Sequence, residues 1–472
     1  MAQRRIHRPG LTALFALLAL ATLGACSTPN QGTNPPTPPP TGAAFARMQG
    51  LPPGGGASLE VDAKGGLSIA YNNAGGGQLW YAHCASGCEQ PSNWKSLKLS
   101  ADNVLGSSPV LQLDAAGNPR IVWVVLGGLN PNQAVYLECN SACTDNVANW
   151  GQAVRVTTVD GRFAQFAASN NPTFFALDGQ GRPGFVVHDN GTLRYASCQG
   201  SCRAGANWQV TDLGAARAGS SALHASLVYT AAGAPRAAVT LADANNLVSL
   251  HYLACTAGCT ATSGWTDTTG APVGTWLRLR LDRQDRPRLL YFAGALVGNP
   301  DSNKLFYSAC DAGCDAAANW RRAAVGVPDG SGNQGLDFAL DANGVPRLVY
   351  DTRANNDPQT PVVNTRLEYA LCASGDCTAT PTWTRTVVED GVQQSADNAL
   401  RALYKAQCRY GIDVDAQLEP LFSLSIFVGQ EAHLALNAAG QAVISADYAP
   451  TFNCGDGVVR TGGILPTVYL PR

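Results

Sequence analysis

Short stretches in which apolar positions alternate with polar or small ones recur along most of the chain. Leu111 and Leu113, or Phe338 and Leu340, show the period-two pattern of a strand with one buried face. Each stretch runs into a turn of the form Asp-x-x-Gly or a variant of it. The copies are LEVDAKGGLSIAY from Leu59, LQLDAAGNPRIVWV from Leu111, FALDGQGRPGFVV from Phe175, LVYTAAGAPRAAV from Leu227, LRLDRQDRPRLLY from Leu279, FALDANGVPRLVY from Phe338 and LALNAAGQAVISA from Leu434. The Asp side chain can accept from nearby backbone N–H groups, and the glycine three residues later tolerates positive φ. A proline after the glycine in five copies opens the next strand, where a missing N–H costs least. Each phrase therefore predicts a hairpin.

A second phrase follows six of the seven: Tyr, two residues, Cys, a short loop, Cys and then Trp, beginning at Tyr81, Tyr136, Tyr195, Tyr252, Tyr307 and Tyr369. Successive first cysteines lie 55 to 62 residues apart, a period that marks propeller blades or arrays. A strand ending at the first cysteine and another starting at the tryptophan complete four antiparallel strands per repeat. The expected fold is all-β, a β-propeller of about seven four-stranded blades with one short inserted helix. The seventh blade lacks the Cys and Trp phrase, so its strands are expected from Leu434 to Asp447 and from the C-terminal GILPTVYLPR, with the segment Phe45 to Gln49 lending an outer strand. A six-bladed ring with a separate C-terminal segment is the alternative. The inserted helix is expected within Ser395 to Tyr410, in an insertion of about residues 390–428, with Asp397 as N-cap and Gly411 as stop. Its role is either packing or a cap over a pocket.

Cysteine usage sharpens the picture. Six local pairs follow from the repeat: Cys84/Cys88, Cys139/Cys143, Cys198/Cys202, Cys255/Cys259, Cys310/Cys314 and Cys372/Cys377. Cys408 and Cys454 are left and pair by elimination, pinning the insertion to the closing blade. Zinc is the competing use of cysteines four apart, but two such pairs would have to converge, and a ring distributes them around its circumference. The six tryptophans at 94, 150, 208, 265, 320 and 383 either pack against the next blade and cover the disulfides or stack on sugar rings.

The N-terminus has an address. Arg4, Arg5 and Arg8 precede an apolar run from Leu11 to Leu23 that is too short to span a bilayer, the shape of a secretory leader. Leu23-Gly24-Ala25-Cys26 resembles the bacterial lipobox. That resemblance implies cleavage of residues 1–25 and a diacylglycerol and palmitate on Cys26, with Ser27 at the next position implying outer-membrane sorting. Residues 26–42, STPNQGTNPPTPPPTG after the cysteine, cannot build a core and read as an extended tether; residues 43–472 are the expected propeller. The disulfide-bearing repeats resemble those of bacterial exported lipoproteins, a resemblance that implies a lipid-anchored place in the cell envelope and no particular activity.

Formal charge is −2, and loss of a leader carrying three arginines takes it to about −5, which argues against nucleic acid as a partner. The chain has no GxSxG elbow, HExxH, P-loop or Asp-rich calcium loop, and no motif for a cofactor. What varies between repeats is the polar face of the first strands. Ser58, Glu60, Gln112, Arg278, Arg280, Asp337 and His433 stand where other copies carry Val, Phe or Ala. If first strands line the axis, Glu60, Arg278, Arg280, Asp337 and His433 either bond one another and water or bind a small anion or sugar, the arginines acting as fork donors. His188, His224 and His251 read as surface or rim residues. The functional expectation is a monomeric, envelope-anchored binding or scaffolding module for a protein or glycan. The alternative is a glycan-acting hydrolase or lyase with its site in the centre of the ring.

Overall fold

The computed structural model describes residues 45–472 apart from 49, 74–76, 129–130, 168–172, 214–220, 243–247, 273–275, 294–300, 302–303, 326–334, 354–363, 374–375, 380–381, 409–421 and 456–457. The expected leader, Cys26, the proline-rich stretch and Gly411 lie outside the described residues. Seven antiparallel sheets form a β-propeller, six of them four consecutive strands in chain order. Blade 1 is typical: Gly54–Val61 inside, then Leu67–Asn73, Leu79–Cys84 and Lys95–Lys98. The inner strands of blades 2 to 6 are Val110–Leu113, Phe175–Leu177, Ser221–Tyr229, Leu277–Leu281 and Leu336–Leu340.

The seventh blade is composite. Its inner strand, Ser423–Leu436, starts well before the seventh turn phrase, and it pairs with Ala442–Asn453, then Leu465–Pro471, then Phe45–Met48. The outermost pairing runs from Phe45 opposite Pro471 to Met48 opposite Val468, so the two ends of the folded part close the ring together. A short strand, Val459–Thr461, adds to Thr451–Asn453 beside them.

The turn phrase works as its chemistry predicts. Asp62 Oδ1 accepts from the backbone N–H groups of Lys64 and Gly66, both at 2.8 Å, and Asp114 repeats this with Ala116 and Asn118 at 2.9 Å. The fourth residue has positive φ in every blade. It is glycine in six and Asp285, at φ 59°, in blade 5. The second strand of each of the five proline-bearing copies begins on that proline, at Pro119, Pro183, Pro235, Pro287 and Pro346.

All seven expected disulfides are formed. Six staple the rim, one per blade: Cys84–Cys88, Cys139–Cys143, Cys198–Cys202, Cys255–Cys259, Cys310–Cys314 and Cys372–Cys377. The seventh joins Cys408 to Cys454. Each rim bond ties the end of a third strand to the loop after it. Blade 6 spaces its pair one residue wider, at five, because its loop carries the extra Asp376 before Cys377.

The tryptophans serve both packing roles at once. In five blades the indole N–H donates to the carbonyl of the second cysteine: Trp94 to Cys88, Trp150 to Cys143, Trp208 to Cys202, Trp265 to Cys259 and Trp320 to Cys314, at 2.9 to 3.1 Å. The ring then meets the repeat tyrosine of the preceding blade edge to face, with centroids 5.1 Å apart for Tyr81–Trp150, Tyr136–Trp208, Tyr195–Trp265 and Tyr252–Trp320. Such a pair is worth about 0.5–1.5 kcal/mol beyond its burial, and these four join blades 1 to 5 in succession.

The inserted helix is present as Asn398–Gln407, with Asp397 capping Leu400 N at 2.8 Å, preceded by a short helical turn, Gly391–Ser395, capped by Asp390. Tyr404 packs on Phe452 of blade 7 at 5.4 Å, so the helix is packed against the closing blade. A further helix, Gly161–Ala167, joins blades 2 and 3, where the repeat pattern predicts only a connection.

Candidate functional site

An inner strand pairs on one edge only, which leaves backbone donors of its other edge facing the axis. Position-equivalent side chains meet part of this need. Ser58 Oγ accepts from Leu111 N, Ser226 Oγ from Leu279 N and Asp337 Oδ2 from Leu434 N, each at 3.0 Å and each from one blade to the next. The polar residues one place before the conserved apolar residue of the hairpin are thus inter-blade links. Ser58 and Asp337 also line an axial cavity of about 460 Å³ walled by inner-strand residues of all seven blades, including Glu60, Gln112, Arg280 and His433.

The cysteines singled out in the sequence do not belong to this wall. Cys143, Cys202 and Cys377, like their bonded partners Cys139, Cys198 and Cys372, sit at the outer ends of their blades and line no part of the axial cavity. Their place follows from the repeat, which puts the Cys phrase after the third strand while only first strands reach the axis. Their role is to brace the frame that holds the wall.

The polar centre of the ring has three layers along the inner strands, and residues of the first two line the cavity. In the layer nearest the hairpin turns, Gln112 Nε2 donates to Glu60 Oε1 at 2.6 Å and Arg280 Nη2 donates to Asp337 Oδ1 at 2.9 Å. Burial pushes the Glu60 carboxyl up to about 8, opposed by Arg280 and reinforced by Asp337, so it carries its proton at neutral pH.

The middle layer centres on Asp337. Its carboxylate, 1 % exposed, lies 3.7 Å from Arg278 Nε and 3.3 Å from His433 Nδ1 and accepts from Phe338 N at 2.8 Å. Burial alone would raise its pKa; Arg280, His433 and Arg278 outweigh burial and hold it well below the carboxylate range. Burial also keeps the His433 imidazole below the ordinary histidine range despite Asp337, so at neutral pH it is an uncharged donor. Arg278, equally buried, is drawn down by desolvation to about 10 and stays cationic.

The third layer was not legible in the repeat pattern. Glu431, at φ 51°, lies in a doubly bulged stretch of the blade 7 strand, where register shifts fall between Val428, Gln430 and His433. The bulges re-aim its side chain, and Ser108 Oγ donates to its Oε2 at 2.7 Å. A Cβ at Gly56 would come within 2.4 Å of Ser108 Oγ and 2.8 Å of Glu431 Oε2, so this contact requires glycine at 56. Asp447, from the second strand of the same blade, accepts from Gly56 N at 3.1 Å. Desolvation pushes Glu431 up to about 7, opposed by Ser108 and Arg278; desolvation and then repulsion from Glu431 push Asp447 well up. His224 belongs to this layer, buried beside Trp276 and held well below its usual range by desolvation and by Arg278.

Two histidine expectations need correction. His224 is buried beside Trp276, and His188 is buried in blade 3, where its Nδ1 meets Asp160, the residue preceding helix Gly161–Ala167. His251 bonds Ser249 and Asp267 at 2.9 and 3.1 Å and stays outside the channel. The structure brings Glu60, Arg278, Arg280, Asp337 and His433 together about one axis. At neutral pH two arginines face one fully ionised carboxylate, Asp337, and a half-titrated one, Glu431, while Glu60 and Asp447 are protonated. The wall itself therefore pairs the Arg280 cation with the Asp337 carboxylate, alongside donors and acceptors of both kinds.

No protein-family model matches the chain, and no curated protein sequence does. Solved structures similar to it include a protein of unknown function from Dyadobacter fermentans, 12 % identical with a TM-score of 0.42, covering 91 % of this chain and 98 % of that one. An ulvan lyase of polysaccharide lyase family PL25, bound to a GlcA-Rha3S saccharide, is 10 % identical over 89 % of this chain and 96 % of that one, with a TM-score of 0.46. The NanB sialidase from Streptococcus pneumoniae is 10 % identical over 88 % and 68 %, with a TM-score of 0.40. Likeness at this level carries no functional argument, and the site must be read from its own residues.

Proposed function

We propose that the axial cavity binds a sugar unit with an acidic substituent, making the propeller an envelope-anchored glycan-binding module. The observation that carries this reading is the convergence, in a cavity of about 460 Å³, of Arg280 with Gln112, Glu60 and Asp337. The volume is within the range of small-ligand sites. Arg280, 28 % exposed, is the arginine whose side chain reaches the cavity, and its fork geometry suits a carboxylate or sulfate. Protonated Glu60 and Gln112 donate to hydroxyls, and Asp337 accepts from them.

Seven disulfides fit an oxidising compartment, extracellular or in the envelope. Among the described residues no helix is long and apolar enough to cross a membrane. Attachment through lipid on Cys26, with the proline-rich stretch as spacer, completes the proposal.

Titration of glucuronate and glucose oligosaccharides by calorimetry tests it. The acidic sugar should bind at least about tenfold more tightly than the neutral one, and Arg280→Ala should remove that preference. Equal binding of the two, or a preference that survives Arg280→Ala, would sink the proposal.

A second reading rests on one observation. Glu60 is held protonated and Asp337 ionised within a single cavity, the split expected of a proton donor and a charge-stabilising carboxylate in glycan cleavage. Release of new sugar ends by the wild type, and its loss in Glu60→Gln, would establish that reading.

A further inference from the structure

Four blades carry an arginine immediately after the proline that opens the second strand: Arg120, Arg236, Arg288 and Arg347. In blade 2, Arg120 donates to the carbonyls of Pro119 at 3.1 Å and Cys139 at 2.9 Å, to Asp114 Oδ2 at 2.7 Å and to Asn140 Oδ1 at 2.8 Å. Blade 5 repeats the set with Arg288 on Pro287, Cys310, Asp282 and Asp311 at 2.8–3.1 Å. The guanidinium thereby ties the turn Asp to the first rim cysteine. Blade 3 has kept the acceptors and lost the arginine: Asp178, Pro183, Cys198 and Gln199 stand in the matching places, and the residue after the proline is Gly184.

What fills the space differs along its length. Tyr229 of blade 4 stands where the other blades have Val or Leu, and its hydroxyl, 2.7 Å from that of Tyr195, would be 1.9 Å from a Cβ on Gly184. Tyrosine thus takes the place of the arginine stem. The guanidinium end is left as a cavity of about 110 Å³, lined by Asp178, Arg182, Pro183, Cys198 and Gln199 and, from blade 4, Tyr229 and Thr260. Gln199 and Thr260 are exposed, so the cavity opens to solvent between the two blades.

We infer that this cleft between blades 3 and 4 is a binding site for an alkylguanidinium group, entering from solvent and standing where the missing arginine would. Asp178, its side chain 6 % exposed, already accepts from Arg182 Nε on Oδ2 at 2.7 Å. That does not block the site. In blade 5 the same oxygen of Asp282 accepts from Arg286 Nε at 2.7 Å and from Arg288 at 2.8 Å together. Gln199 replaces the second carboxylate, Asp311, so affinity is expected at about the millimolar level. Ammonium groups should bind less well, because one point charge cannot span the two carbonyls and the carboxylate that a planar fork reaches.

Saturation-transfer NMR on the full chain with arginine amide and lysine amide tests this. Arginine amide should receive saturation and lysine amide about tenfold less. The variant Gly184→Arg/Tyr229→Leu, which restores the residues of the other blades, should remove the signal, and Tyr229→Leu alone should retain it. Equal signals from the two amides, or an unchanged signal in the double variant, would overturn the inference. Should the double variant fail to fold, a crystal soaked with arginine amide decides: density between Asp178 and the Pro183 and Cys198 carbonyls supports the site, and its absence refutes it. An acetylated Gly-Arg-Gly amide then separates the sources. Binding of the tripeptide points to an arginine side chain of a partner protein, and binding of arginine amide alone points to a small guanidinium compound.

Discussion

Replacing Asp337 by Asn removes the one fully ionised carboxylate of the channel and leaves its geometry almost unchanged. The carboxylate meets Arg280 at 2.9 Å, Arg278 at 3.7 Å and His433 at 3.3 Å, and it accepts the backbone N–H of Leu434 at 3.0 Å. An amide oxygen can still accept from Leu434, but the amide NH2 then faces the Phe338 N–H and the Arg280 guanidinium, so the loss is the charge together with one acceptor. Arg280 reaches solvent and can rehydrate, whereas Arg278 is 1 % exposed and cannot. Removing one partner of a buried pair costs about 3–5 kcal/mol, and that is the expected loss in a urea melt at neutral pH.

The counter-charge left to Arg278 is Glu431, which titrates near 7, so Asp337→Asn should be destabilised more at pH 6 than at pH 8. Arg278→Met in the Asp337→Asn background should recover most of the loss, since the buried cation is then gone. A loss under about 1 kcal/mol, or additive effects of the two changes, would refute a charge network centred on Asp337.

Further outcomes follow from other parts of the molecule. Glu60 has a raised folded pKa, so its contribution to stability is full below its unfolded value near 4.5 and is lost as pH rises toward 8. Glu60→Gln should therefore change stability by under about 1 kcal/mol at pH 5 and stabilise by about 4–5 kcal/mol at pH 9, read from urea melts at both values. The Cys408–Cys454 bond closes a separation of 46 residues and each blade's own bond only 4 or 5, for which chain entropy gives about 4 and about 2 kcal/mol. Non-reducing melts of Cys408→Ser/Cys454→Ser should accordingly fall further than those of Cys84→Ser/Cys88→Ser. Cys26→Ser should abolish incorporation of labelled palmitate and release the protein from membranes; labelling that persists would exclude a lipid on that cysteine.

Strand periodicity and the turn phrase were enough to read seven blades, because Leu111, Phe338 and their equivalents bury one face while Asp and Gly fix the turn between two strands. The Tyr, Cys and Trp phrase carried the rim for the same reason: its contacts, such as Cys139–Cys143 or Trp208 on Cys202, are local or to the next copy. The polar wall was legible where it departs from the repeat, at Glu60, Arg278, Arg280, Asp337 and His433. Glu431 escaped because two bulges break the alternation that would have put it in line, and Asp447 because it reaches the channel from a second strand. His224 sits in a stretch that reads as connection until the inner strand is seen to begin at Ser221. The gap at Gly184 is visible as a missing arginine only after the guanidiniums of the other blades are known to share one set of acceptors.

The pairing of Phe45–Met48 with Leu465–Pro471 sets an order of events. Phe45–Met48 has no partner until Leu465–Pro471 has been made, so blades 1 to 6 are expected to assemble first as an open arc. Local contacts within each blade and the Tyr–Trp joints can form on the way, but the seam is a contact of nearly maximal sequence separation and forms late. During that interval the apolar faces of blades 1 and 6 that later pack on blade 7 are uncovered. A chain halted short of Leu465 would keep them so, and its fate would be to pair with a second arc or to be degraded.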